Sequence, residues 1–304
     1  MCKQREQKKQ SIELAIQEYL NNPIELKSLT KIGKKYGVKR QTLATELKNI
    51  GIEIVNYQNI PRIDEHIFDV IDTEEKAYWL GFLWADGNIS HTGNRLEVRL
   101  SIKDVKHLEK FRAFLKLENN IRIGTHKGHG FCHLSVRNKH LWNALKSLGC
   151  VPNKTLILKF PKLNIFKYTK LVYDFIRGYV DGDGSLYINK HRNSLETELN
   201  LVGTLDFLST VKHIFGDFGY IKNKTTKNWN NKAYSLTFTS FPSRIICRIL
   251  YENANIYLDR KYDKFLNFCR LEEESSRRLS SKIGEGCDAN TEIISKITKG
   301  LEIL

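Results

Sequence analysis

The sequence has no two cysteines spaced as a metal-binding pair. Its six, at positions 2, 132, 150, 247, 269 and 287, follow no regular interval. That excludes a zinc ribbon or a disulfide framework and leaves buried or incidental thiols in a reducing compartment. No apolar run approaches the roughly 18 residues needed to cross a bilayer, and the opening MCKQREQKKQ lacks the apolar core of a signal peptide. These absences predict an intracellular protein, cytoplasmic or organellar, with no membrane partner. Acidic residues are also in short supply: 34 Asp and Glu face 49 Lys and Arg, for a net charge of +15. That balance favours a polyanion such as nucleic acid over an acidic small molecule. Apolar residues are not scarce. At 41% apolar and 27% charged over 304 residues, disorder throughout is excluded and there is chain enough for two or three domains.

Residues 1–10 are polar and basic, the composition of a frayed lead-in. Ile12, Leu14, Ala15, Ile16, Tyr19 and Leu20 then recur at helical spacing until Asn21, Asn22 and Pro23 close the element. In SLTKIGKKYGVKRQTLATELKNIGI, Leu29, Ile32 and Tyr36 are expected to face inward from one short helix, and Leu43, Leu47 and Ile50 from the next. Gly37 permits the tight turn between them. The pattern predicts a small all-α helix-turn-helix domain over 1–55, with Arg40, Gln41 and Thr42 as DNA-binding residues at the start of its recognition helix. Residues 56–71, which contain Pro61, read as a linker.

Beyond the linker, Thr73 is placed to cap a helix whose first turn holds Glu74 and Glu75 and which continues as KAYWLGFLWADG. A second stretch, YTKLVYDFIRGYVDGDG, has the same layout. At one constant offset, Gly81 falls on Gly178, Ala85 on Gly182, Asp86 on Asp183 and Gly87 on Gly184, the mark of an internal repeat. Each copy leads into alternating segments. RLEVRLSIK sets Leu96, Val98, Leu100 and Ile102 against Arg95, Glu97, Arg99, Ser101 and Lys103; FCHLSVR and YSLTFTS alternate likewise. With the amphipathic stretches between them, each half reads helix, strand, strand, helix, strand, strand, helix. The halves are expected at 72–165 and 166–271, and 272–304 forms a tail without an assigned element.

The small residues in each motif lie four apart on one helical face, so two such helices can pack backbone against backbone. Pairing brings Asp86 and Asp183 together at two helix C-termini, each already partly negative. A cluster of that kind calls for cations. Hard oxygen ligands, with Asp86, Asp183 and the carbonyls of Ala85 and Gly182 as the metal site, suit two or three Mg²⁺ ions, Mn²⁺ or Ca²⁺ being substitutes. Gly87 and Gly184 are expected to end the helices in the left-handed conformation. Asp181 faces another side of the helix, matches Trp84 in the first copy, and is left out of the chemistry.

YWLGFLWADG and FIRGYVDGDG resemble the two signature motifs of the LAGLIDADG homing endonucleases in their single-chain form. The resemblance spans about residues 66–270 and implies an α+β fold: a pseudo-twofold αββαββα pair whose two antiparallel four-stranded sheets make a saddle over double-stranded DNA. It implies a monomer that hydrolyses one phosphodiester on each strand of a long non-palindromic target. Asp86 and Asp183 would be the catalytic metal ligands, with Lys154 and Lys261 as catalytic pocket lysines that help deprotonate water. Recognition would fall to Arg95, Arg99, Lys103, His133, Ser135 and Arg137 in one half, and to Glu196, Glu198, Asn200, Ser235 and Thr237 in the other. Lys222, Lys224 and Lys227 would hold phosphates.

Two other readings share these features: a splicing cofactor that binds its own intron RNA, and a transcriptional regulator that keeps the fold without cleavage. Retention of both Asp86 and Asp183 weighs against the regulator.

Overall fold

The computed structural model describes residues 2–22, 28–52, 54, 63–90, 93–152, 154–190, 195–224 and 233–280. The chain divides into two compact units, Met1–Arg62 and Ile63–Leu304.

The first unit is a three-helix cluster. α1 (Cys2–Asn21) is helical from its second residue rather than after a lead-in, and is followed by α2 (Leu29–Tyr36) and α3 (Arg40–Asn49). Ala15, Tyr19, Leu29, Ile32, Val38, Leu43 and Leu47 form its core. Ser28 caps α2 by accepting from the Lys31 amide, and Gly37 ends it with φ at 68°, a conformation glycine adopts without Cβ strain. Ile50, expected to face inward, is 52% exposed because α3 stops one residue before it.

The second unit holds the duplication. Its first half runs α4 (Glu74–Ala85), β1 (Gly87–Ile89), β2 (Arg95–Ser101), α5 (Val105–Phe114), β3 (Arg122–His126), β4 (His129–Arg137) and α6 (Lys139–Leu148). The second repeats the order as α7 (Leu171–Asp183), β5 (Gly184–Lys190), β6 (Leu195–Gly203), α8 (Leu205–Ile214), β7 (Tyr220–Asn223), β8 (Tyr234–Thr239) and α9 (Ser240–Tyr251). Each half forms an antiparallel four-stranded sheet, ordered β1-β2-β4-β3 and β5-β6-β8-β7. This is the duplicated αββαββα architecture expected from the periodicity. α10 (Asp259–Ser280) continues past residue 271 into the stretch the sequence leaves unassigned.

Alternation places one side of each sheet in the core. Leu96, Val98, Leu100, Cys132, Leu134 and Val136 are buried from the first sheet; Leu199, Leu201, Leu236 and Phe238 from the second. A register slip of one residue would turn these to water, so the burial pattern itself specifies the pairing. Cys132, Cys150 and Cys247 are buried free thiols and Cys269 is a half-buried one.

α4 and α7 form the seam between the halves. α4 is buried on every side from Ala77 to Trp84, the mark of a helix enclosed by protein. A methyl group added at Gly81 would lie 1.8 Å from the Phe175 carbonyl oxygen, one at Gly178 2.0 Å from that of Tyr78, and one at Gly182 2.2 Å from the Ala85 Cβ. The small residues therefore set how closely the two helices approach.

Candidate metal centre and polar sheet faces

Thr73 starts α4 by accepting from the Lys76 amide, and Asp86 is its C-cap, donating its backbone N–H to Phe82 and Leu83. Asp183 is the last residue of α7. Because Gly182 packs on Ala85, the two carboxylates are carried to the same place: Asp86 Oδ2 lies 3.4 Å from where a Gly182 Cβ would sit.

Gly87 and Gly184 do not end the helices in the left-handed conformation. Neither has a positive φ, and Gly184 is extended at φ −94°, ψ 167°. They are needed for space. A Cβ at Gly87 would stand 2.6 Å from the Leu83 carbonyl oxygen, and one at Gly184 2.6 Å from that of Val180. Each chain folds from helix to strand directly over its own last turn.

Burial pushes the Asp86 carboxyl up to about 6, the negative charge of Asp183 adds to this, and Lys154 and Lys261 oppose it. Burial also raises Asp183, against Lys154, Lys261 and Lys224, although its side chain keeps open access to solvent. Among the described residues neither carboxylate has a hydrogen-bond or ion-pair partner. Two neighbouring, unpaired carboxylates at two helix C-termini fit a hard divalent cation, which would relieve their repulsion. The carbonyls of Ala85 and Gly182 belong to the final turns, beyond which no helical amide follows to bond them.

The lysines lie beneath this pair. Lys154 Nζ donates to the carbonyls of Leu83, at 2.6 Å, and Gly87. Lys261 Nζ donates to Val180 at 2.5 Å, Asp181 at 2.7 Å and Gly184 at 2.7 Å. Under the repeat, Leu83 corresponds to Val180 and Gly87 to Gly184, so both lysines tie the last helical turn to the first strand residue. Burial lowers Lys154 from its ordinary value and takes Lys261 down to about 8. All three ammonium protons of Lys261 are engaged by backbone carbonyls.

Asp181 is more than a bystander. Fully buried, it accepts from the Tyr78 hydroxyl, the Tyr251 hydroxyl and the Leu258 amide, each at 2.7 Å. Its counterpart Trp84 donates Nε1–H to the Lys159 carbonyl at 3.1 Å. With different chemistry, both anchor the segment that carries the nearby lysine. No local signal links these two side chains, since the segments they hold are more than seventy residues away in each case.

The polar sheet faces begin two residues beyond the carboxylates, with Asn88 beside Glu97 and Ser185 beside Asn200. On the first face, Arg99 and Arg137 are exposed, while Arg95, His133 and Ser135 are half-buried. Glu97 is their hub: Arg95 donates to it at 3.2 Å, Ser135 at 3.5 Å, and His133 lies 4.0 Å away. Arg99 stacks over the Phe131 ring at 3.6 Å. Lys103 departs from the expected pattern; β2 stops at Ser101 and Lys103 sits exposed in a 3-10 turn off the sheet. Arg122, paired with His133 across β3 and β4, joins this face and was not predicted.

On the second face Glu196 is exposed, and Glu198, Asn200 and Ser235 are half-buried. Thr237 is a correction: it is only 4% exposed and accepts from Asn200 Nδ2 at 2.7 Å, which leaves it a support for that side chain. Lys222 pairs with Ser235 on β7, and Lys224 follows the strand. Lys227 lies outside the described residues. Tyr187 and Tyr220, both exposed, are further members of this face. In the first unit Arg40 and Gln41 are exposed and Thr42 half-buried.

No family model and no curated protein matches the chain. Solved structures with a likeness to it include the meganuclease I-SmaMI bound to uncleaveable DNA, at 12% identity and TM-score 0.46 over 69% of this chain and 97% of that one. The LAGLIDADG meganuclease I-AabMI bound to uncleaved DNA has 13% identity and TM-score 0.45 over 74% and 98%. The I-LtrWI LAGLIDADG homing endonuclease bound to target DNA has 14% identity and TM-score 0.40 over 78% and 98%.

Proposed function

We propose that this chain is a site-specific, divalent-metal-dependent DNA endonuclease of the LAGLIDADG homing type that acts as a monomer on a non-palindromic duplex. The observation that carries the reading is the convergence of Asp86 and Asp183 at the ends of two backbone-packed motif helices, with half-buried Lys154 beneath one and buried Lys261 beneath the other.

In this reading Asp86, Asp183 and the carbonyls of Ala85 and Gly182 hold Mg²⁺. The bound metal supplies a Lewis acid that offsets charge on the phosphate and acidifies water. The protein's own groups set the geometry. Gly81, Gly178 and Gly182 keep the carboxylates close, while Lys154 and Lys261 fix the helix-to-strand turns and hold positive charge at a site that must accept a phosphodiester. The two sheet faces read base edges: the first offers Arg95, Arg99, Arg122, His133 and Arg137, the second Glu196, Glu198 and Asn200. Their unlike chemistry fits a target whose two half-sites differ. Lys222 and Lys224 contact phosphates, and Arg40, Gln41 and Thr42 of the first unit hold flanking DNA, which raises affinity through tethering.

Selection of cleaved molecules from a randomised duplex library, with Mg²⁺ and sequencing of the cut ends, tests this. The expected result is one enriched asymmetric site cut on both strands. Cleavage without sequence preference, or none at any metal concentration, would overturn it.

A further inference from the structure

A second group of metal-ligating side chains lies in the first half, on the stretch that precedes α4. Ile67, Phe68 and Ile71 of that stretch are buried in the main core, which fixes its backbone and leaves Glu65, His66 and Asp69 on the outer side. His140 projects from the first turn of α6. His66 Nδ1 lies 2.7 Å from Asp69 Oδ2, and His140 Nε2 lies 2.7 Å from Asp69 Oδ1. The two imidazole centroids are 4.3 Å apart. One ligand atom from each of the three residues falls within 4.8 Å of the others.

We propose that His66, Asp69 and His140 bind a single zinc-type divalent ion that ties the 63–72 stretch to the start of α6. Two imidazole nitrogens and a carboxylate oxygen form a set that zinc binds in tetrahedral sites, the remaining position going to water. Tetrahedral coordination at about 2.0–2.1 Å puts ligand atoms roughly 3.3 Å apart, so the two 2.7 Å histidine–carboxylate spacings would open slightly and the two ring nitrogens, within 4.8 Å of each other, would settle to the same separation. The ligand side chains are 66%, 38% and 42% exposed and have room for that adjustment and for a water.

The surrounding groups suit a metal ligand set. Glu65 Oε1 stands 3.8 Å from His66 Nε2, the nitrogen facing away from Asp69. At that spacing the carboxylate is an ion-pair neighbour, and it becomes an acceptor for Nε2–H once His66 turns its Nδ1 lone pair from Asp69 to the ion, the carboxylate–histidine–metal arrangement. Glu65 is itself held, since Asn138 Nδ2 donates to its Oε2 at 2.8 Å while Asn138 Oδ1 accepts from the Leu141 amide at 2.8 Å. Nitrogen donors disfavour Mg²⁺, which separates this site from the all-oxygen set of Asp86 and Asp183. The proposal does not depend on the DNA-cleavage reading.

The full chain, in excess Mg²⁺ to occupy oxygen sites, is titrated with Zn²⁺ and followed by the imidazole nitrogen resonances and by thermal shift. One saturable equivalent should move His66 Nδ1 and His140 Nε2 and raise the melting temperature. His140→Gln or Asp69→Asn should abolish that equivalent, and Glu65→Gln should weaken it about 10- to 100-fold. Should His140→Gln fail to fold, His66→Gln, on an exposed ring, replaces it. Zinc that binds the ligand variants as tightly as the parent, or that leaves both resonances unmoved, would overturn the proposal and reduce the group to hydrogen bonds alone.

Discussion

Lys154 and Lys261 make the same contact in opposite halves: each ammonium joins the last-turn carbonyl three residues before its motif aspartate to the carbonyl of the glycine that follows it. Burial makes this arrangement expensive to disturb, because a lost lysine removes charge-assisted hydrogen bonds worth about 1.5–3 kcal/mol each. Lys154→Met and Lys261→Met should therefore each lower both stability and cleavage. If these lysines are fixed charges rather than proton acceptors, the cleavage rate of Lys261→Arg should keep its pH dependence while changing in amplitude. A shift in the pH profile would assign Lys261 a proton-transfer role.

The approach of α4 and α7 depends on the absence of a single atom. Gly178→Ala places a methyl 2.0 Å from the backbone oxygen of Tyr78, and Gly81→Ala one 1.8 Å from that of Phe175. Backbone cannot rotate away as a side chain can, so each variant should lose about 3 kcal/mol or more. Urea midpoints at unchanged slope check this.

Arg177 is 3% exposed and spans the two halves, donating to Glu74 at 2.7 Å, Asp174 at 2.8 Å and the carbonyls of Leu250 and Ile256 at 3.0 Å. Arg177→Ala removes one side of a buried ion pair and leaves its partners desolvated, which should cost about 3–5 kcal/mol. Arg177→Met, which refills the volume, should recover part of that loss. Equilibrium unfolding of both variants measures the difference.

Acid sensitivity should follow His107. It is 1% exposed, its Nε2 meets the Tyr78 hydroxyl at 3.1 Å, its Nδ1 has no partner among the described residues, and burial drives its pKa from 6.5 to about 3. The unfolded chain thus binds a proton that the folded one refuses between those values, so stability falls as pH drops below 6.5. At about 1.36 kcal/mol per pH unit the loss approaches roughly 2 kcal/mol by pH 5. His107→Gln should flatten this dependence relative to the parent chain, as urea midpoints across that range would show.

Much of this organisation was legible in the sequence. Strict alternation in RLEVRLS foretold which residues of β2 are buried, and the repeated glycine and aspartate spacing foretold the α4–α7 seam. Failures came where local pattern carries no long-range information. β3, RIGTH, is exposed along nearly its whole length and has no apolar alternation, so Arg122 escaped notice. Lys103 and Ile50 each lie just past an element's end, where periodicity persists but the backbone has turned. Gly87 and Gly184 were assigned a conformational role because glycine after a helix commonly has one; their actual constraint is contact with a carbonyl four residues back. Asp181 depends on partners 103, 70 and 77 residues distant, beyond any motif.

The most direct measurement compares the parent chain with Asp86→Asn and Asp183→Asn on its selected duplex, recording DNA affinity and Mg²⁺-dependent strand scission together. Both variants should bind within about tenfold of the parent, since removing a negative charge near phosphates does not weaken association, and neither should cut both strands. Undiminished double-strand cutting by either one would contradict the account.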